Sequence, residues 1–304
     1  MALRRSGEAE AGFEVLSSLA GERGYYGFLA ADELDRPYAL TSNEAVPDEQ
    51  VIAHLAARPA LIRARELFRV GQDGRGRSEW EAAINTLDAE QKLQAAILAQ
   101  RWDWHSRAIA AAASAGNFDD LELRYPLPYQ STFQRYAAEA QIPPTWAYGV
   151  ARSESLFMRD VRSRAGAIGL MQLMPATGRE VAREIRLPYS GLNTLTDPQH
   201  NIRLGTTYLG QMTEQFGGNR VLATAAYNAG PHRVVEWLPA DGSLDARIWI
   251  ENIPFNETRK YVRRVLEAET IFHWRMTGQF RRLSDELTSV SAAPGVQQVA
   301  SSSP

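Results

Sequence analysis

The first 120 residues are built from alanine- and leucine-rich segments that alternate with short breakers such as Asp73-Gly74 and Gly116-Asn117. Segments of this length with short connections are typical of packed antiparallel helix pairs. They cover 14–20, 50–57, 61–70, 80–87, 91–100 and 104–115. No strict repeat relates them. We therefore interpret residues 1–120 as a helical scaffold or linker domain with no chemistry of its own.

The character of the sequence changes after Phe118. Residues 121–280 contain more aromatic residues, more glycine and proline, and nearly all of the unusual polar residues. Prolines that suit the first turn of a helix predict helices that open at 143–144, 175 and 198. A mainly α fold is therefore predicted, with a second helical domain over 121–283. The Ser-, Ala-, Val- and Gln-rich residues 284–304 are predicted to form a disordered tail.

Composition excludes several classes of function. The net charge of the 304 residues is only -3 and the pI is near 6.0, so no overall attraction to nucleic acid or anionic lipid is expected. The absence of cysteine rules out disulfides and thiolate catalysis. No histidine pair has the spacing of a metal site, and we expect no cofactor.

Neither the N-terminus nor any internal stretch indicates membrane insertion. No segment approaches the roughly 18 apolar residues of a membrane span. Arg4 and Arg5 are not followed by an apolar stretch, so the N-terminus does not read as a signal peptide. If the protein is exported, we expect this chain to be a processed or truncated form.

One carboxylate stands where a buried helix face calls for an apolar residue. Trp146, Val150 and Glu154 are spaced four apart and therefore share one face of the predicted helix 145–155. A carboxylate among apolar groups is desolvated, which raises its pKa, as a general acid near neutral pH requires. A helix-end glutamate turned toward solvent is the ordinary alternative.

Four blocks of sequence follow in a fixed order and decide between these interpretations. They are Glu154-Ser155-Leu156-Phe157, residues 163–175 (SRAGAIGLMQLMP), residues 226–230 (AYNAG) and residues 253–261 (IPFNETRKY). In this order they resemble the catalytic domain of the soluble lytic transglycosylases, whose fold is similar to goose-type lysozyme. The resemblance covers about residues 121–276. A weaker one, at 24–30 and 118–126, suggests the superhelical and linker regions of the large members, of which this chain is expected to be the C-terminal part or a short form.

The resemblance implies a reaction. Members of that family cut the β-1,4 bond between N-acetylmuramic acid and N-acetylglucosamine, so glycan strands and muropeptides of peptidoglycan are the expected partners. The periplasm or cell envelope is the expected location. Glu154 would protonate the leaving oxygen and then, as a base, deprotonate the sugar's own 6-hydroxyl. That hydroxyl closes a 1,6-anhydro ring, and the N-acetyl group assists at the anomeric carbon.

The same resemblance implies a set of substrate-binding residues. Ser163 matches a position near the acid and the acetamido group, and Gln172 and Met174 match groups that line the sugar subsite. Tyr227 matches a hydroxyl that orients Glu154 or the acetamide, with Asn228 as its polar neighbour. The remaining matches belong to the region that touches the peptide stem: Glu257, Arg259 and Tyr261. Each could instead be structural, as a turn, a core residue or a helix end.

Two other functions remain open at this stage. A goose-type muramidase would use water on the same bond, but an ordinary glycosidase needs a second carboxylate about 5–9.5 Å from the first. The nearest acid in the sequence, Asp160, lies between Arg159 and Arg162 and is interpreted as solvated or salt-bridged. A non-catalytic peptidoglycan-binding scaffold is the other possibility. A retained, desolvated Glu154 argues against it, because such a charge costs stability without a structural return.

Overall fold

The structure is a computed structural model that describes residues 9–292. These residues are mainly helical, which confirms the predicted fold class. The α-helices, in chain order, are α1 (Ala9–Leu19), α2 (Tyr25–Glu33), α3 (Glu49–Ala56), α4 (Pro59–Arg69), α5 (Asp73–Ile84), α6 (Ala89–Arg101), α7 (His105–Ser114), α8 (Leu121–Arg124), α9 (Gln130–Glu139), α10 (Pro144–Ser155), α11 (Pro175–Glu184), α12 (Leu192–Thr196), α13 (Pro198–Gln215), α14 (Arg220–Ala229), α15 (Pro231–Glu236), α16 (Ala246–Asn252) and α17 (Asn256–Thr277).

Helices α3–α7, which we call the helical scaffold, pack around their own core. Helix α4 lies against α5, and α6 lies against α7. Phe68 stacks on Trp104 with ring centroids 4.6 Å apart, and Trp80 packs on the same indole. Packed pairs of consecutive helices, as predicted from the segment lengths, are therefore present in this region.

A larger core surrounds α10 and α17, which make the most extensive helix contact in the described chain. Gly149 permits this close crossing, because a Cβ there would lie 2.9 Å from the Val265 carbonyl oxygen. Trp146 and Tyr261 are buried on the two facing helices. The crossing brings the C-terminal half of α10 against the N-terminal half of α17.

The first two helices do not pack with the scaffold that follows them. Tyr25, Phe28 and Tyr38 belong to the same core as α10 and α17. The two ends of the scaffold region lie next to each other where they join this core, because Asn43 N–H donates to the Asp119 carbonyl at 3.0 Å. Residues 20–40 thus share a core with residues beyond 120, although the sequence suggested a domain boundary near residue 120.

The segment after α17 differs from the expected disordered tail. Ser284–Glu286 form a 3-10 helix, and strand β2 (Val290–Ser291) pairs antiparallel with strand β1 (Ser243–Leu244). Val290 is fully buried, which gives this segment an apolar anchor that its composition did not reveal. The prediction is therefore wrong for residues 284–292, and the rest of the predicted tail lies outside the described residues.

Candidate active site

Glu154 lies at the C-terminal end of α10, on the stripe predicted from the sequence. Trp146 and Val150 on that stripe are fully buried, while Glu154 itself is only partly buried. The Trp146 indole N–H donates to Thr224 Oγ1 at 3.1 Å, which ties α10 to α14. The helix therefore has a fixed orientation, and it places Glu154 where the core meets the surface.

The pKa of Glu154 is raised from 4.5 to about 7. Burial of the carboxyl is the largest cause, because it disfavours the charged form. Interaction with the Tyr261 hydroxyl and the charge of Arg264 oppose the rise, and the charge of Glu257 adds to it. A carboxyl that titrates near pH 7 can serve as an acid and then as a base at neutral pH.

Two tyrosine hydroxyls lie near this carboxyl. Burial, together with the Glu154 charge, raises the pKa of both Tyr227 and Tyr261 well above the ordinary value, so both stay neutral. The Tyr227 hydroxyl donates to the Met171 carbonyl at 2.8 Å. The Tyr261 hydroxyl is completely buried beside Glu154, but it makes no hydrogen bond of regular geometry within residues 9–292.

A loop over residues 161–174 is bound tightly to the end of α10. The Ser155 hydroxyl donates to the Leu170 carbonyl at 2.7 Å. Gly169 has φ +84°, and a Cβ there would lie 2.1 Å from the Leu195 carbonyl oxygen, so only glycine fits this turn. The loop that carries the predicted sugar-subsite residues is therefore fixed to the helix that carries Glu154.

Asn201, which the sequence did not single out, holds this loop from the other side. Its side chain on α13 is fully buried. It accepts from Met171 N–H at 2.7 Å and donates to the carbonyls of Ile168 at 3.1 Å and Leu195 at 2.9 Å. An asparagine in a helix carries no local signal of such a role, because its partners are distant in sequence.

The predicted residues on the loop use their polar groups partly within it. Ser163 Oγ accepts from the Ala167 N–H at 3.0 Å. The Gln172 amide donates to the carbonyls of Val161 and Gly169, at 3.1 and 2.9 Å. Met174 is 43% exposed. Met174 is therefore open to a ligand, while contact of Ser163 and Gln172 with a sugar remains a prediction.

Asn228 and the three residues predicted to touch a peptide stem occupy different environments. Asn228 Oδ1 accepts from the Thr258 hydroxyl at 2.7 Å and links α14 to α17. Glu257 is exposed, and Arg259 donates to Asn256 Oδ1 at 2.7 Å. Tyr261 is only 1% exposed, so the structure places it beside the acid and not on an outer surface. Glu257 and Arg259 remain the predicted stem contacts.

The acid nearest to Glu154 in sequence is engaged elsewhere. Asp160 accepts two hydrogen bonds from Arg77, at 2.6 and 3.0 Å, which confirms its interpretation as a salt-bridged residue. Across residues 9–292, no group of three or more His, Asp or Glu side chains is arranged to hold a metal ion. No helix in that range is long and apolar enough to cross a membrane.

A partly buried glutamate with a pKa near 7 on a mainly helical fold is what the class of proteins that use one general acid and base requires. Comparison with known families narrows this class. Residues 131–250 match the family described as "Transglycosylase SLT domain", and residues 54–121 match the "Soluble lytic murein transglycosylase L domain". The chain belongs to the soluble lytic murein transglycosylase family.

Several relatives are similar along most of this chain. The soluble lytic murein transglycosylase of Escherichia coli (strain K12) is 38% identical over 276 residues, which are 90% of this chain and 42% of that protein. That of Salmonella typhimurium (strain LT2) is 37% identical over 93% of this chain and 44% of its own length. The chain therefore spans less than half the length of these curated relatives.

Solved structures show the same similarity. The 70 kDa soluble lytic transglycosylase of Escherichia coli has a TM-score of 0.86 and 34% identity, over 95% of this chain and 47% of that chain. An inactive glutamate-to-glutamine variant of the lytic transglycosylase Slt of Pseudomonas aeruginosa has a TM-score of 0.83 and 40% identity, over 90% of this chain and 45% of its own.

Proposed function

We propose that this protein is a lytic transglycosylase that cleaves the β-1,4 bond between N-acetylmuramic acid and N-acetylglucosamine in peptidoglycan. The observation that carries the proposal is the partly buried Glu154, whose pKa is raised to about 7. The inactive Pseudomonas aeruginosa variant, in which a glutamine replaces a glutamate, supports an essential glutamate in that relative.

The proposed reaction uses Glu154 twice. As an acid, it gives its proton to the glycosidic oxygen while the bond from that oxygen to the anomeric carbon breaks. The substrate's acetamide stabilises the positive charge that develops at this carbon. As a carboxylate, Glu154 then takes the proton of the 6-hydroxyl, whose oxygen bonds to the anomeric carbon. The bound hydroxyl is favoured over water because it has little translational entropy left to lose.

The hydroxyls around Glu154 fit the roles of positioning groups. Tyr261 interacts directly with Glu154, and Tyr227 is fixed by its hydrogen bond to Met171. Because both tyrosines stay neutral, the Tyr261 hydroxyl can donate to the Glu154 carboxyl, while the Tyr227 oxygen can accept from an acetamide N–H, and neither competes as a base. Ser163, Gln172, Met174 and Asn228 complete the proposed sugar subsite.

A hydrolytic reaction is the second candidate, and Glu257 is the observation that favours it. The charge of Glu257 raises the pKa of Glu154, so a second carboxylate lies near the acid. A muramidase could use such a group to activate water on the same bond. Glu257 is exposed at the first turn of α17, however, where a carboxylate is also favoured by the helix dipole.

Mass spectrometry of a complete digest of purified peptidoglycan distinguishes the two reactions. We expect glycan ends of 1,6-anhydro-muramic acid, which are lighter by one water than the reducing ends that hydrolysis leaves. The variant Glu257→Gln should give the same anhydro product. Reducing ends that disappear in Glu257→Gln would instead establish a muramidase with Glu257 as its second carboxylate.

Peptidoglycan strands and muropeptides are the proposed partners, and the periplasm or cell envelope, where this polymer lies, is the proposed location. The proposed organisation has a catalytic domain over about 121–283 and a helical region before it. The packing of residues 20–40 into the core around α10 adds the first two helices to the catalytic unit.

A further inference from the structure

The segment directly after the catalytic helix has an unusual backbone. Leu156 and Phe157 have φ values of 51° and 65°, so two consecutive non-glycine residues are left-handed. Such conformations are rare and persist where the surroundings impose them. Residues 156–160, which we call the anchor segment, connect Glu154 to the loop over 161–174. Any movement of this segment would therefore reach both the acid and the loop.

Two ion pairs bind the anchor segment to the start of helix α5 in the scaffold. Arg159 donates to both carboxylate oxygens of Asp73, at 2.8 and 2.9 Å. Arg77 donates to both oxygens of Asp160, at 2.6 and 3.0 Å. In the first pair the acid is on α5 and the base is on the anchor segment, and in the second pair the base is on α5. A shift of the segment along the helix would therefore bring like charges together. The pairs therefore fix one alignment of the segment on the helix.

The burial of these pairs separates them from ordinary surface pairs. The Asp73 side chain is 5% exposed, and the Arg77 and Asp160 side chains are 21% and 30% exposed. Bidentate, partly buried arginine–carboxylate pairs have a well-defined geometry, whereas exposed pairs contribute little to stability. The pair between Arg63 and Glu79 is an internal reference, because it lies on α4 and α5 and its side chains are 57% and 35% exposed.

A third contact comes from another scaffold helix. The guanidinium of Arg107 on α7 lies 3.7 Å from the sulfur of Met158, in the middle of the anchor segment. Arg159 also lies over the Phe68 ring at the end of α4. The scaffold therefore contacts three successive residues of the anchor segment, from three different helices.

We propose that Asp73 and Arg77 are positioning residues for the catalytic acid, through which the helical scaffold keeps the anchor segment closed behind Glu154. This inference rests on the proposed function, since it concerns the environment in which Glu154 works. The scaffold region would then be part of the catalytic apparatus and not only a support for long glycan strands.

The proposal predicts how the titration of Glu154 responds to changes in α5. The charged and titratable groups that face Glu154 are Tyr227 on α14 and Tyr261, Arg264 and Glu257 on α17. None of them belongs to the scaffold. If loss of a scaffold pair opens the anchor segment, Glu154 gains contact with water and its pKa falls toward the ordinary value. The acid is then deprotonated at a lower pH, and activity is lost at a lower pH.

The test compares Asp73→Asn and Arg77→Gln with Glu79→Gln, which removes the exposed reference pair from the same helix. We expect Asp73→Asn to lower kcat by roughly tenfold, as small displacements of catalytic groups do. KM should change little, and the basic limb of the pH profile should move to lower pH. Glu79→Gln should resemble the wild type.

Stability alone would not explain this pattern. Arg159→Gln leaves the buried Asp73 carboxylate without its partner and should lower Tm more than Asp73→Asn, which leaves a partly exposed arginine that water can solvate. A folded Asp73→Asn protein with unchanged kcat and pH profile would overturn the proposal. So would a lower Tm with no shift of the profile, or a loss of the same size in Glu79→Gln.

A measurement without substrate separates this inference from the proposed function. Hydrogen exchange of the amides over 156–173 should be faster in Asp73→Asn than in the wild type and in Glu79→Gln. Equal exchange in all three proteins would overturn the positioning role, whatever reaction the enzyme catalyses. Full activity of Glu154→Gln, by contrast, would overturn the proposed function, and with it the claim that the segment positions an acid.

Discussion

Glu154 shows how a single residue on a helix can indicate the function of a helical protein. The stripe of Trp146 and Val150 is fully buried, and a carboxylate completes it. Desolvation of this carboxylate is the main reason that its pKa reaches about 7. The arrangement destabilises the fold at alkaline pH, because the charged form is kept in a site that suits the neutral one.

The variant Glu154→Gln should lose activity and gain stability. Because the folded-state pKa is raised above 4.5, the stability due to the protonated acid is fully present below pH 4.5 and is lost as the pH rises through 7. Glutamine keeps the neutral shape at every pH. We expect turnover to fall roughly 10²–10⁴-fold. At pH 8 the free energy of unfolding should rise by about 3 kcal/mol, because each unit of pKa shift corresponds to about 1.4 kcal/mol.

Urea denaturation at pH 4.5 and pH 8, combined with release of soluble fragments from peptidoglycan, measures both effects. The gain in stability should disappear at the lower pH, where the wild-type acid is protonated. Equal stability differences at both pH values would contradict the raised pKa. Near-wild-type fragment release would contradict the catalytic role.

The elements of the site were predictable from the sequence to different degrees. The α10 stripe follows from local spacing, so the position of Glu154 could be predicted. The burial of Tyr261 beside the acid depends on the crossing of α10 and α17. Gly149 permits this crossing because it has no side chain, which leaves room for the carbonyl of a residue distant in the sequence. Val290 is buried only because β2 meets β1, a pairing of residues far apart in the sequence. The burial of Tyr261 and Val290 depends on packing between segments that are distant in the sequence, so composition and local spacing could not predict it.

Asn201 provides a test at the scale of one element, the loop over 161–174. Asn201→Ala leaves one buried N–H and two carbonyls without their partner, which should destabilise the protein by about 3 kcal/mol. It should also lower activity, because the loop loses its support. Gln211→Ala on the same helix removes a solvent-exposed hydrogen bond to Glu184 and serves as the control. Thermal unfolding and fragment release measure the two effects, and wild-type values for Asn201→Ala would refute this role of the loop.

At the scale of the whole molecule, the two cores predict which parts can be removed. Residues 121–304 alone would expose the core surface that Tyr25 and Phe28 cover. We expect this fragment to fold poorly. Removal of residues 44–118 should do less harm, because Asn43 and Asp119 are hydrogen-bonded neighbours that a short flexible linker can join.

Circular dichroism and urea denaturation of the two shortened proteins test this expectation. The protein with residues 44–118 replaced by a linker should unfold cooperatively, and its activity should be reduced because the anchor segment has lost its scaffold partners. A stable, cooperative 121–304 fragment together with an unfolded linker protein would contradict the assignment of the first two helices to the catalytic unit.

The proximity of Asn43 and Asp119 also bears on how the chain reaches its native state during synthesis. The helices between these residues contact mainly their neighbours in sequence, so they can fold as soon as they leave the ribosome. Helix α2 must wait for α17, which is made some two hundred residues later. During that interval the part of α2 that packs against α17 lacks its partner, so Tyr25 and Phe28 are less well buried than in the folded protein.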